Sequence, residues 1–202
     1  MIRRRAVAAA LALLGVTGVA RADLPPDPAA LEAGDANLES IAQRRGLVFA
    51  AVLGGGATVG FGIRDSVGRG GSLALRLGHV ATPRTVITFE LQANASLHRP
   101  AMASVVKTNT GGALLAGAQH YVNPSLWIRL AGGISTFQGR QVDVGGKLGD
   151  ISLTGPVALA GAGIDLARFK WAVLGIEAAT SALINRDGVL VVSALGLGLQ
   201  FD

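Results

Sequence analysis

From Ile87 to His98 the chain alternates without a break: Ile87, Phe89, Leu91, Ala93, Ala95 and Leu97 are apolar, and Thr88, Glu90, Gln92, Asn94, Ser96 and His98 between them are polar. A two-residue period puts each set on its own face of a β-strand. Twelve such residues make a strand about twice the usual length in a globular domain. The pattern recurs near the C-terminus, where Val189, Val191, Leu195, Leu197, Leu199 and Phe201 share one face and Ala194, Gly196, Gly198 and Gln200 the other. Leu73, Leu75 and Leu77 oppose Ser72, Arg76 and Gly78, and Ala172, Leu174, Ile176 and Ala178 oppose Glu177.

Eight such runs are predicted, over about 46–62, 72–81, 85–98, 112–122, 126–138, 151–166, 170–184 and 189–201. Alternation is poorer in the first, fourth and sixth, where apolar side chains fall on both faces. The connections VATPR, VNPS and LARFK are short, whereas RDSVGRGG, RPAMASVVKTNTG and GRQVDVGGKLGD are longer; NRDG, at a long-loop position, is short. Long strands of even number, with tight turns at one end and longer loops at the other, are the layout of an all-β, eight-stranded antiparallel up-and-down transmembrane β-barrel. A tilted strand needs roughly nine to eleven residues to cross the hydrocarbon layer, lipid-facing and lumen-facing side chains alternating. Ile87, Phe89, Leu91 and Leu97 are expected toward lipid.

The first run, GLVFAAVLGGGATVGFGI, is uncharged and long enough to be mistaken for a membrane helix, but it holds six glycines, each costing about 1 kcal/mol against alanine in a helix interior. Gly54, Gly55 and Gly56 are expected to mark a bend or bulge of a strongly curved barrel.

The N-terminus is read as an address. Arg3, Arg4 and Arg5, the apolar run Ala6 to Val16, and Ala20-Arg21-Ala22 form a three-part signal peptide over 1–22, cleaved before Asp23. Residues 23–45, with three prolines and mostly polar side chains, are expected to be a periplasmic leader, and 46–202 the barrel. The chain carries 18 basic and 13 acidic residues, but four of the bases lie in the signal, so the mature chain has 14 against 13. That near balance, without a basic stripe, excludes a nucleic-acid partner. Charged residues are 15% of the chain and apolar residues 50%, where a soluble domain carries about a quarter charged, so much of the outer surface is expected to meet lipid. There is no cysteine, hence no disulfide and no thiolate metal site.

Four ionisable residues fall mid-strand on the predicted lumen face: Arg76, Glu90, Arg129 and Glu177. An eight-stranded barrel is just wide enough to be filled by side chains, so these charges are expected to pair into an Arg/Glu network that plugs the interior; a proton or ion path is the alternative. His79 and His120 lie near turn-end positions of non-adjacent strands, and no His/Asp/Glu spacing of metal-binding type is present; no cofactor is expected. Ser96 and His98 share a face near the outer rim, where a nucleophile and a base would meet, but no carboxylate orienter is evident. Gly145-Gly146-Lys147 lacks phosphate-loop spacing and context. Tyr121, Trp127 and Trp171, near the short turns, are expected to form one aromatic girdle. In the outer loops Arg64, Arg69, Arg99, Lys107, Arg140, Lys147 and Arg186 face Asp65, Asp143, Asp150 and Asp187, a modest positive excess that would meet lipopolysaccharide.

The signal peptide, the eight runs and the closing SALGLGLQFD together resemble small outer-membrane barrels of the OmpA or OmpX type. Their last strand ends in phenylalanine after alternating apolar residues with an upstream glycine, the signal read by the barrel-assembly machinery; Gly196, Leu199 and Phe201 match it, with Asp202 following. The resemblance implies outer-membrane localisation after export, with outer-membrane lipid, lipopolysaccharide and the assembly machinery as partners. The expected function is a non-enzymatic barrel with a structural or surface-interaction role. The alternatives are a lipid-modifying hydrolase using Ser96 and His98, or a narrow channel. Small barrel lipid A deacylases place histidine two residues before serine, the reverse of the order here.

Overall fold

The computed structural model describes residues 46–63, 67–98, 107–142 and 148–201; the predicted signal peptide and leader lie outside these. Eight strands follow one another: β1 (Leu47–Phe61), β2 (Gly68–Thr82), β3 (Thr85–His98), β4 (Lys107–Tyr121), β5 (Leu126–Val142), β6 (Leu148–Arg168), β7 (Val173–Asn185) and β8 (Gly188–Phe201). Each pairs antiparallel with the next, and β8 pairs with β1, so the sheet closes into a barrel. Closure is what lets strands of this length exist in lipid, because it leaves no unpaired edge within the wall.

Side chains alternate as the sequence requires. Ile87, Phe89, Leu91 and Leu97 are exposed on the outer face, as are Leu53, Leu130, Leu195 and Leu197, while Thr88, Glu90 and Ser96 are buried inside. The uncharged first run forms β1, and among the described residues no helix is long and apolar enough to cross a membrane. Strands β1, β4 and β6 lack clean alternation because their inward positions are apolar too. Ala113, Leu115, Val157 and Leu159 form one inner layer, and Leu153 joins Phe137, Leu183 and Leu190 in another.

Four expectations change. No bulge occurs at Gly54, Gly55 and Gly56: β1 keeps an unbroken register with both neighbours there. Gly54 is instead a close approach, since a Cβ on it would overlap the Leu195 carbonyl oxygen of β8. The register shifts sit at the short-turn end, between Val80 and Thr82 and between Asp165 and Ala167. Second, the strands reach further into the predicted loops, β2 from Gly68 and β6 from Leu148. Strand β6 pairs with β7 only from Val157 onward, and its first stretch pairs with β5 alone. Pro156, which has no N–H, stands where that second partner ends, and Asn185 Nδ2 donates to the Thr154 carbonyl at 2.9 Å nearby.

Third, Tyr121 and Trp127 are not girdle residues. They are buried, at 0% and 6% exposure, in an inner layer with Val48 and Val86. Parity decides this: Tyr121 is two residues from Gln119 and Trp127 two from Arg129, both inward. Trp171 does face outward. Fourth, Ala172 belongs to the turn before β7 and is buried, so it does not share the outer face of Leu174 and Ile176.

Candidate functional site

The inward charges converge at one level of the barrel. Arg76 and Glu90 are direct partners across β2 and β3. Arg129 stands opposite Gln119 across β4 and β5, and Glu177 comes from β7. Arg76 Nε donates to Glu90 Oε2 at 3.1 Å, and Nη2 reaches Glu177 Oε1 and Oε2 at 3.0 and 2.9 Å. Arg129 completes the ring, with Nη1 on Glu90 Oε2 and Nη2 on Glu177 Oε1. Each arginine therefore touches both glutamates, and two cations face two anions. All four residues are at most 5% exposed, a burial tolerable only with this degree of pairing.

Polar neighbours take up the remaining capacity. Gln92 Nε2 donates to Glu90 Oε1 at 2.7 Å, and Gln119 Oε1 accepts from Arg76 Nη1 at 3.2 Å while its Nε2 donates to the Tyr121 hydroxyl at 2.8 Å. That hydroxyl reaches Gln200 Oε1 at 3.4 Å. On the short-turn side the guanidinium of Arg76 lies over the Trp127 ring, 5.7 Å from its centroid, a favourable cation–π geometry. Trp127 Nε1 donates to Asp165 Oδ1 at 3.2 Å. All four carboxylate oxygens of Glu90 and Glu177 accept hydrogen bonds, so the cluster is a cross-brace between β2, β3, β5 and β7. Arg129 Nε has no hydrogen-bond partner among the described residues.

Apolar layers lie beyond the charges: Val48, Val86, Tyr121 and Trp127 toward the short turns, and the two leucine-rich layers toward the long loops. The filling is lopsided. The inward positions of β8 beside the cluster are Ala194, Gly196 and Gly198, and two small cavities remain along that wall. One of about 40 Å³ is lined by Ser72, Gln92, Asn94, Glu177 and Ala194 among others; one of about 20 Å³ is lined by Ala50, Arg76, Trp127, Glu177 and Gly198 among others. Each has room for water but little more.

The other candidates do not assemble into a site. Ser96 is buried at 4% exposure, and its Oγ has no hydrogen-bond partner among the described residues. The backbone of His98 ends β3, but its side chain lies outside the described residues. His79 and His120 face outward, and His120 Nδ1 is 3.1 Å from Thr85 Oγ1. No group of His, Cys, Asp and Glu suited to a metal occurs among the described residues. Of the outer-loop charges, the described side chains are those of Arg69, Arg186 and Asp187, all exposed. Arg64, Asp65, Arg99, Asp143, Gly145, Gly146 and Lys147 lie outside the described residues, as do the side chains of Lys107, Arg140 and Asp150.

The closing strand places Gly196 inward opposite Gly54, and Phe201 opposite Phe49. The Phe201 ring stacks on Trp171 at 5.7 Å and 18°, with Phe49 at 6.2 Å on the neighbouring strand. Sequence reading overlooked Gln119 and Asp165. The available signal was parity: Gln119 shares a face with Leu115 and Tyr121, and Asp165 is the register neighbour of the turn that follows Tyr121.

No protein-family model matches the chain, and no curated protein matches it in sequence. Solved structures do. Ail, the attachment invasion locus protein of Yersinia pestis, superposes with a TM-score of 0.56 at 14% identity, covering 78% of this chain and 100% of that one, both in its own structure and in complex with the heparin analogue sucrose octasulfate. Neisserial surface protein A superposes with a TM-score of 0.51 at 14% identity, covering 77% of this chain and 95% of that one. At such identities the likeness speaks for the fold: the chain is built as a small eight-stranded outer-membrane barrel.

Proposed function

We propose that the protein is a non-enzymatic barrel of the outer membrane, exported by a cleaved signal peptide, whose lumen is plugged by side chains and whose role is structural or surface-interacting. The observation that carries this reading is the cross-braced ring of Arg76, Glu90, Arg129 and Glu177 between apolar layers. A pore has no use for leucines packed across its bore, and a catalytic carboxylate has no use for two arginines and a hydrogen bond on every oxygen. The apolar outer face supports a lipid surround, and the terminal Phe201 supports recognition by the barrel-assembly machinery. Lipopolysaccharide is the expected neighbour at the long-loop end.

The narrow-channel reading draws on the two cavities, which share Val52 and Glu177 as lining. They hold a few waters at most, and the Arg76–Glu177 ion pair lies beside both. The test is direct: the purified protein in planar bilayers is expected to show no discrete single-channel steps, and the outer-membrane fraction a band whose gel mobility changes on heating. Regular conductance steps would replace the plug with the channel.

A further inference from the structure

The short-turn rim is unevenly built. The end of β6 and the β6–β7 turn interleave bases with bulky apolar residues, Leu166, Arg168, Phe169, Lys170 and Trp171, all exposed, with Trp171 at 65%. Trp171 does not float, because Phe201 stacks on it and Phe49 abuts Phe201 across the β8–β1 junction. Leu47 adds a further exposed apolar group on β1. Next to it around the rim, the β4–β5 turn from Val122 to Ser125, whose Ser125 carbonyl accepts from Asp165 N, exposes Val122 and carries no charge.

Fixed aromatic rings beside exposed cations are poorly suited to water or to hydrocarbon alone. They fit the layer where acyl chains meet headgroups, with aromatic rings at the boundary and basic side chains extended toward phosphate. Among the described residues the side chains charged at neutral pH on this rim, outside the histidines, are Arg84, Arg168 and Lys170 against Asp165. Asp165 is already engaged, by Trp127 Nε1 at 3.2 Å and by Arg168 Nη2 at 3.6 Å.

We propose that the end of β6, the β6–β7 turn and the adjoining ends of β8 and β1 form a one-sided anchor that holds the phosphates of anionic phospholipids at the short-turn rim. The proposal rests on the outer-membrane reading above and adds to it a lipid class and a place on the barrel. The bases draw the phosphate, and the Phe49–Phe201–Trp171 ring cluster keeps the turn at the depth of the headgroups, beside the strands that close the barrel.

Trp171 supplies the probe, since the chain's other tryptophan, Trp127, is enclosed in the lumen. The protein is folded into phosphatidylcholine vesicles containing either brominated phosphatidylcholine or brominated phosphatidylglycerol, and quenching gives the relative occupancy beside Trp171. Phosphatidylglycerol is expected to be favoured on the order of fivefold for each base within reach. Arg168→Gln with Lys170→Gln is expected to bring the ratio near one, and Arg84→Gln, on a different turn, to leave it unchanged. Trp171→Phe should abolish the lipid-dependent quenching. Equal quenching by both lipids in the folded parent, a preference surviving the double substitution, or one lost equally in Arg84→Gln would overturn the anchor alone. A chain that never acquires heat-modifiable mobility in either vesicle would overturn the membrane-barrel reading, and the anchor with it.

Discussion

Gly163 faces the indole of Trp127 across the β5–β6 pair so closely that a Cβ on it would overlap the ring, 2.6 Å from Cε2. The missing side chain of Gly163 leaves the space that the Trp127 indole fills, and from there the indole both hydrogen-bonds Asp165 and carries the Arg76 guanidinium. Gly163→Ala is therefore expected to lift the ring and disturb both contacts. Overpacking of this kind costs about 1–3 kcal/mol. Urea unfolding from vesicles, followed by the emission of Trp127 in a Trp171→Phe background, should show a lower midpoint and an altered folded-state spectrum. An unchanged midpoint would mean that the indole has another place to go.

The charge ring should behave as a unit. Glu90→Gln removes an anion that Arg76 and Arg129 share, leaving an excess cation buried in the bore, and is expected to destabilise by about 3–5 kcal/mol. Adding Arg76→Gln restores charge balance, so the double variant should lose less than the sum of the singles, with a coupling of about 1–3 kcal/mol. Additive losses in equilibrium unfolding would show that the two residues act independently.

Phe201 is expected to serve in two separable ways. Deleting Phe201 and Asp202 together should slow insertion by the assembly machinery and lower stability, whereas deleting Asp202 alone should do neither. Trp171→Ala removes one side of the aromatic stack without touching the terminal signal. It should lower unfolding stability by about 0.5–1.5 kcal/mol beyond the lost area and leave insertion in cells at the parental rate. Reduced insertion in Trp171→Ala matching that of the deletion would collapse the two roles into one.

Ser96 offers a test in which the two functional readings differ in sign. Its buried Oγ has no hydrogen-bond partner among the described residues, and a buried hydroxyl without one carries an unrecovered desolvation cost. Ser96→Ala is expected to leave stability unchanged or raise it by about 1 kcal/mol, with no hydrolytic activity to lose. Lipid A deacylation by the parent, abolished in Ser96→Ala, would establish the hydrolase in place of the inert barrel.

Strand number, order and facing were legible in the sequence because the period of two is a local property: Ile87 and Glu90 point to opposite faces whatever surrounds them. The same parity, applied to Trp127 and its neighbour Arg129, assigns that indole to the lumen; proximity to a turn misled the reading toward a girdle. What parity does not encode is depth. Arg76 and Glu177 lie 101 positions apart, and their meeting depends on the stagger accumulated around a closed sheet, which no single strand contains. The absence of a bulge at Gly54 is likewise a matter of how near β8 comes, and the Trp171–Phe201–Phe49 ring cluster exists only once β8 returns to β1. Sequence by itself determined which face a residue takes within an unbroken strand, because that follows from backbone geometry along one strand; at strand ends such as Ala172 it did not. The tertiary structure decided which residues share a level, because closure sets the shear between strands and so brings distant charges and rings into contact.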